Sequence, residues 1–217
     1  MPTPDSFDLL GQHMASQHGL FTAAQAVATG LSRLAIDEAV RSDTLRRFSI
    51  PSVYLSAKAG PASVDRTLYA QWLLTEPASF AIERLNRSEG PHAIISHTCA
   101  AQFMRLVSAP ASPTTMTCDK PVPVTPPGVS LIYKPFGPSE WALIHGLPVA
   151  TAERVVRDVL SVAAETSLVA EIVFEALRRG LATRDQMVSA VSPFAPAFGF
   201  LDGDGESLVH YLSELGE

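Results

Sequence analysis

The sequence predicts an α+β fold. A winged helix-turn-helix over residues 1–60 is followed by a mixed α/β C-terminal domain, residues 61–217, with a small sheet and several helices. Three observations carry this reading. Residues 19–57 hold two short, separately capped helical segments about Gly30, then two β-prone runs about Ile50-Pro51-Ser52. The stretch KAGPAS, residues 58–63, combines proline and glycine as a linker does. Beyond it, runs of helical apolar spacing alternate with short β-forming runs, on a chain whose 47% hydrophobic and 18% charged content is that of a folded protein.

Asp5 to His18 reads as an opening helix with Phe7, Leu10 and Met14 on one face and Gly19 closing it. Thr22 and Gln25 form a T-x-x-Q capping box for a helix that Gly30 ends, because glycine tolerates positive φ. Ser32 caps a second helix over Arg33 to Ser42, with Ile36, Ala39 and Val40 spaced to face a core. Leu45 to Ser49 and Val53 to Ser56 then read as a hairpin, since Pro51 favours a turn over a continuous strand.

Downstream, Ser63 reads as the cap of a helix reaching Thr75, and Pro77 as the first residue of a helix through EPASFAIERL. Ala93 to Ile95 is a short apolar strand leading into a helix from Ser96 to Val107. A strand running into a serine-capped helix presents backbone N–H groups to an anion, which makes Ser96-His97-Thr98 the best candidate for a chemical site, although no acid lies near His97 in sequence. Eight of the seventeen prolines fall between Pro110 and Pro138, a density that excludes long helices and central strands. Thr114 to Cys118 and Val129 to Tyr133 read as strands within that stretch, and Trp141 to His145 with Leu147 to Ala150 as a hairpin about Gly146. Lys134 stands at a strand end, either reaching an anionic ligand or covering an edge. Helices follow from Thr151 to Ala163, from Ser167 to Arg179, from the Thr183–Gln186 capping box and from Glu206 to Leu215. PFAPAFGFLDG, residues 193–203, has three phenylalanines without helical or strand rhythm.

Several function classes find no support. Phosphate-loop, dinucleotide, serine-hydrolase and zinc-protease motifs are all missing, so the chain does not read as an enzyme of a standard class, and no cofactor is implied. Cys99 and Cys118 make neither a disulfide framework nor a metal site, and Asp202, Asp204 and Glu206 lack the remaining ligands of a calcium loop. With no basic leader and no run of about 18 apolar residues, the expected compartment is the cytoplasm, with no membrane partner.

GLFTAAQAVATGLSR followed by LRRFSIPSVYLS resembles the N-terminal domain of the AbiEi-type antitoxins of toxin-antitoxin systems. The likeness continues in AIISHTCAA, HGLPVATAERVV and EALRRGLATRDQM, in the family's order, over most of residues 19–190. The resemblance implies an antitoxin encoded beside a nucleotidyltransferase-like toxin, with the winged helix binding operator DNA. Arg33 and Arg41 on the second helix would reach bases or phosphates, and Arg46 and Arg47 would grip the backbone beside the wing. A packing or protein-contact module is the alternative for this domain, with the arginines as ordinary solvated charges. For the whole chain, a transcriptional regulator acting mainly through the winged helix is a second reading, and an enzyme that disables the toxin covalently, for instance by phosphate transfer, is a third that no residue recommends.

The chain departs from the family where it matters for DNA. Asp37, Glu38, Ser42, Asp43 and Thr44 stand where basic residues are typical, and Ser52 where glycine is usual in the hairpin. Residues 1–60 hold five bases and five acids, so the domain has no surplus charge with which to attract phosphates. Any operator binding is therefore expected to be weak, steeply salt-dependent, and reliant on a homodimer or on toxin-assisted assembly. The net charge of -6 comes from residues 151–217, with five bases against eleven acids, which suits either a partner with a basic surface or simple solubility.

Overall fold

A computed structural model describes residues 4–61, 64–108 and 113–216. The chain divides into two compact units. The first comprises residues 1–93, 118–129 and 145–147, and the second residues 94–117, 130–144 and 148–217.

The first unit opens with α1 (Pro4–Ser16), then β1 (Leu20–Thr22), α2 (Ala23–Ala28), α3 (Arg33–Arg41), β2 (Leu45–Arg47) and β3 (Val53–Ser56). Thr22 caps α2 through the expected box, its hydroxyl accepting from Gln25 N at 3.1 Å. Gly30 follows with φ +87°, the left-handed conformation that ends a helix most cheaply at glycine. Ser32 caps α3 by accepting from Ala35 N. The two β-prone runs pair antiparallel, Leu45 opposite Ser56 and Arg47 opposite Tyr54. β1, which three residues could not announce in sequence, joins them and makes a three-stranded sheet in the order β1-β3-β2. Leu10, Met14, Phe21, Leu31, Ile36 and Leu45 meet beneath these elements as one buried core.

The unit continues through α4 (Arg66–Thr75) and α5 (Ala81–Leu85). Ser63 lies outside the described residues, and Asp65 caps α4 by accepting from Thr67 N at 2.7 Å. Pro77 does not begin α5, contrary to expectation. It lies in a turn in which Ser79 N donates to Glu76 O, and the helix starts at Ala81, with Glu83 accepting from Phe80 N. A buried polar knot fastens residues 77–81 to the helix-turn-helix. The amides of Gln17 and Gln25 pair reciprocally at 3.1 and 3.2 Å, Gln25 also donates to Ser79 O at 2.8 Å, and Gln17 accepts from Ala81 N at 2.8 Å. Thr22 completes it by donating to Pro77 O. These contacts lie within the first unit and pair buried polar groups of the helix-turn-helix with residues 77–81.

Arg84 is fully buried in this unit. Its guanidinium stacks on Trp72 at 3.7 Å, donates to Trp72 O and Thr75 Oγ1, and pairs with Glu76 at 3.2 Å. Burial brings its pKa down to about 10, so it stays charged at neutral pH.

In the second unit β4 (Ala93–Ile95) leads to α6 (His97–Phe103), β5 (Thr114–Cys118), β6 (Val129–Tyr133), β7 (Trp141–Ile144) and β8 (Leu147–Ala150). The sheet order is β6-β5-β4-β8-β7, with β4 and β8 parallel and Ile95 opposite Val149. β8 is buried along its whole length, as a parallel strand covered on both faces should be. Four helices complete the unit: α7 (Ala152–Ser161), α8 (Thr166–Arg178), α9 (Arg184–Val191) and α10 (Gly205–Leu215). α6 stops at Phe103, short of the expected Val107. On α8 the buried residues are Val169, Ala170, Ile172, Val173 and Ala176, whereas Leu177 is only partly covered. Residues 193–203 are more regular than their sequence suggests, since Ser192–Phe198 form a 3-10 helix that Gly199 ends at φ +84°. α10 starts at Gly205, a position that takes glycine because a Cβ there would overlap Val188 O and Ser192 Oγ.

Candidate nucleic-acid interface

Winged helix proteins meet DNA with the second helix of the helix-turn-helix and the hairpin beside it. In α3 the residues Ala35, Ile36 and Ala39 are buried, which turns Arg33, Leu34, Asp37, Glu38 and Arg41 outward. Leu34 is 64% exposed on this face, an apolar side chain among charges. At the hairpin, Ser52 adopts φ +64° in the place where glycine is usual, and Ala23 N donates to its carbonyl at 2.8 Å.

All four arginines singled out in the sequence lie exposed, yet they divide into two pairs. Arg33 and Arg41 form no ion pair among the described residues. Arg47 donates to Asp37 Oδ1 at 2.7 Å, its guanidinium 5.9 Å from the centre of the Tyr54 ring, and Arg46 lies 3.5 Å from Asp43. The Asp37–Arg47 contact links α3 to β2 across ten residues of sequence, and no local spacing rule announces it. Both pairs are well exposed, so each is worth at most about 1 kcal/mol and weakens with salt. Phosphates would have to compete with two carboxylates for two of the four cations.

The second place singled out in sequence is Ser96-His97-Thr98. His97 adopts φ +54° and is 7% exposed. Its Nδ1 lies 3.0 Å from Ser96 Oγ and 3.8 Å from Asp158 Oδ2, and Thr117 donates to Ser96 at 2.9 Å. The acid missing from the local sequence therefore arrives from α7, sixty-one positions on. Hydroxyl and carboxylate face the same ring nitrogen, so this is not a relay that passes a serine proton through the ring to an acid. Burial holds the imidazole below its ordinary pKa of 6.5, opposed by Asp158. Ser96 does not cap α6 with its side chain, which is taken up in this cluster.

The remaining candidates are ordinary in their surroundings. Cys99 and Cys118 are buried free thiols, and burial pushes Cys118 up to about 11. Asp204 caps α10 by accepting from Ser207 N at 3.1 Å. Lys134 is exposed just beyond β6. Among the described residues no cluster of three or more His, Cys, Asp or Glu side chains is placed to hold a metal ion, and no helix is long and apolar enough to cross a membrane.

Residues 12–57 match the family model described as a transcriptional regulator, the AbiEi antitoxin. The match begins within α1 and ends just after β3, so it coincides with the helix-turn-helix and its wing. No curated protein matches the chain.

Proposed function

We propose that this protein is a cytoplasmic antitoxin that neutralises a nucleotidyltransferase-like toxin and regulates its own operon through the winged helix. The observation that carries the reading is the family match laid over a complete, capped helix-turn-helix with a paired hairpin. In this reading residues 1–60 serve DNA and residues 61–217 serve the toxin. Acids on and beside the later helices support the second half. Glu165, Asp185 and Asp202 are exposed and, among the described residues, form no ion pair, as suits a basic nucleotide-binding surface. Asp158 does not belong to that surface, because it is buried against Arg154.

On DNA, Arg33 and Arg41 would make the first phosphate or base contacts. Arg46 and Arg47 would follow only after leaving Asp43 and Asp37, which makes a homodimer or a toxin-bound assembly the DNA-binding form. Replacing Asp37→Arg and Glu38→Arg together should strengthen binding to any duplex, since two repulsive charges become attractive.

Two measurements on the full chain test the proposal. Co-expression with the neighbouring gene product should restore growth, and Glu165→Lys with Asp185→Lys should weaken that protection while the protein stays folded. Salt titration against the promoter and a scrambled duplex should show a slope that falls by roughly 0.9 for each arginine removed from a phosphate. Failure to protect against any operon partner would overturn the antitoxin assignment. Tight promoter-selective binding abolished by the two arginines would instead make Asp37 and Glu38 base-reading residues.

A further inference from the structure

α7 starts just beyond the carboxyl end of β8. β4 and β8 run parallel, and each leads directly into a helix. In open sheets the space beyond such strand ends is where ligands bind. Thr151 occupies the N-cap position of α7, but its hydroxyl makes no capping bond and, though buried, no other hydrogen bond within the protein. The first turn of this ten-residue helix therefore lacks a side-chain cap, while its N–H dipoles favour negative charge.

A second observation points the same way. Arg154, in that first turn, is 2% exposed. Its Nε donates to Asp158 Oδ1 at 2.8 Å and its Nη1 pairs with Glu140 Oε2 at 3.0 Å, but its Nη2 has no hydrogen-bond partner in the protein. Arg157 shares Glu140 through Nη2 and leaves its own Nε buried and without a partner. Trp141 Nε1, one residue from Glu140, is a further buried donor in the same condition. Three N–H donors and one hydroxyl are thus left over in one neighbourhood, against a single unbonded acceptor, Asp158 Oδ2, which faces His97. Buried polar groups are rarely left unpaired, and a surplus of donors calls for an acceptor rich in lone pairs.

We propose that the start of α7, with Thr151, Arg154, Arg157 and Trp141, is a binding site for one small oxyanion, a phosphoryl or carboxylate group. Glu140 and Asp158 stay in place as the carboxylates that orient the two guanidinium groups, and the ligand takes the donors they leave. Arg157 and Glu140, with side chains 39% and 23% exposed, are the members of the cluster that solvent reaches. The site uses none of the winged helix residues, so its test is separate from that of DNA binding.

The test is calorimetric titration of the full-length protein with inorganic phosphate and, separately, with acetate, in chloride of matched ionic strength. Saturable binding of one anion per chain is expected. Arg157→Gln and Thr151→Val should each weaken it, Arg157→Gln by about tenfold or more, as expected for the loss of a hydrogen bond from a charged donor. Preference for phosphate identifies a phosphoryl ligand, and preference for acetate a carboxylate. Arg154→Gln should abolish binding. Because that variant removes a buried charge and can fail to fold, Arg157→Gln, on a partly exposed side chain, decides the matter. No saturable binding of either anion, or binding that both Arg157→Gln and Thr151→Val leave unchanged, would overturn the proposal and leave the donors to hydration alone.

Discussion

The arginines of the winged helix and the arginines buried deeper in the chain are one residue type in opposite surroundings. Arg46 and Arg47 lie in the open and meet one carboxylate each, Asp43 and Asp37, in pairs that salt can screen. Arg84 and Arg154 are enclosed and have most of their donors committed, Arg84 to Trp72, Thr75 and Glu76, and Arg154 to Glu140 and Asp158. A buried cation left without its partners is expensive, so the second pair is structural before it is anything else. The first pair contributes little to stability. Charge alone does not say which arginine is a site; the number of its donors that the protein itself occupies does.

Arg84→Ala should give the largest effect. It leaves Glu76 without the guanidinium, strips the face of Trp72 and opens a cavity, for a loss of about 3–5 kcal/mol in denaturant unfolding. A loss below about 1 kcal/mol would mean that the buried and exposed arginines do not differ in kind. Gln25→Ala tests whether the winged helix is held to residues 77–81 by its polar knot. It removes acceptors for Thr22 N and Gln17 and a donor to Ser79, and should cost about 1–3 kcal/mol, with hydrogen exchange rising at Ser79 and Ala81.

The third effect depends on pH. His97 titrates below its ordinary value in the folded protein because burial disfavours the cation, and His18 does so for the same reason, helped by Arg66. Near pH 6.5 and below, the unfolded chain takes up protons that the folded chain resists. The stability these two groups confer is therefore present above the ordinary histidine pKa and declines as pH falls below it. His97→Gln should flatten that decline, and an unchanged slope in chemical denaturation between pH 7.5 and 5.5 would assign it elsewhere. The smallest effects belong to Arg33→Ala, Arg41→Ala, Arg46→Ala and Arg47→Ala, each expected to change stability by less than about 0.5 kcal/mol while altering the salt dependence of DNA binding. A larger stability loss at Arg47 would show that its contact with Asp37 braces the wing.

Local chemistry determined much of this protein from the sequence alone. The capping boxes at Thr22–Gln25 and Thr183–Gln186, the Ser32 cap, the turn at Gly30 and the strands at Ala93–Ile95 and Val129–Tyr133 were legible because each depends on residues within a few positions of one another. So was the exposure of Arg33, Arg41, Arg46 and Arg47, which follows from the apolar phase of α3 and the shortness of the hairpin. Tertiary structure alone decided the rest. It brought Asp37 to Arg47, Asp158 to His97, and Glu140 to Arg154 and Arg157, pairings that no periodicity encodes because the partners sit on different elements. It also drew residues 77–81 into the first unit, through glutamine side chains whose burial only packing could impose. A short-range rule reads a helix start from three residues, whereas the fate of a buried polar group depends on whichever distant group the fold sets beside it.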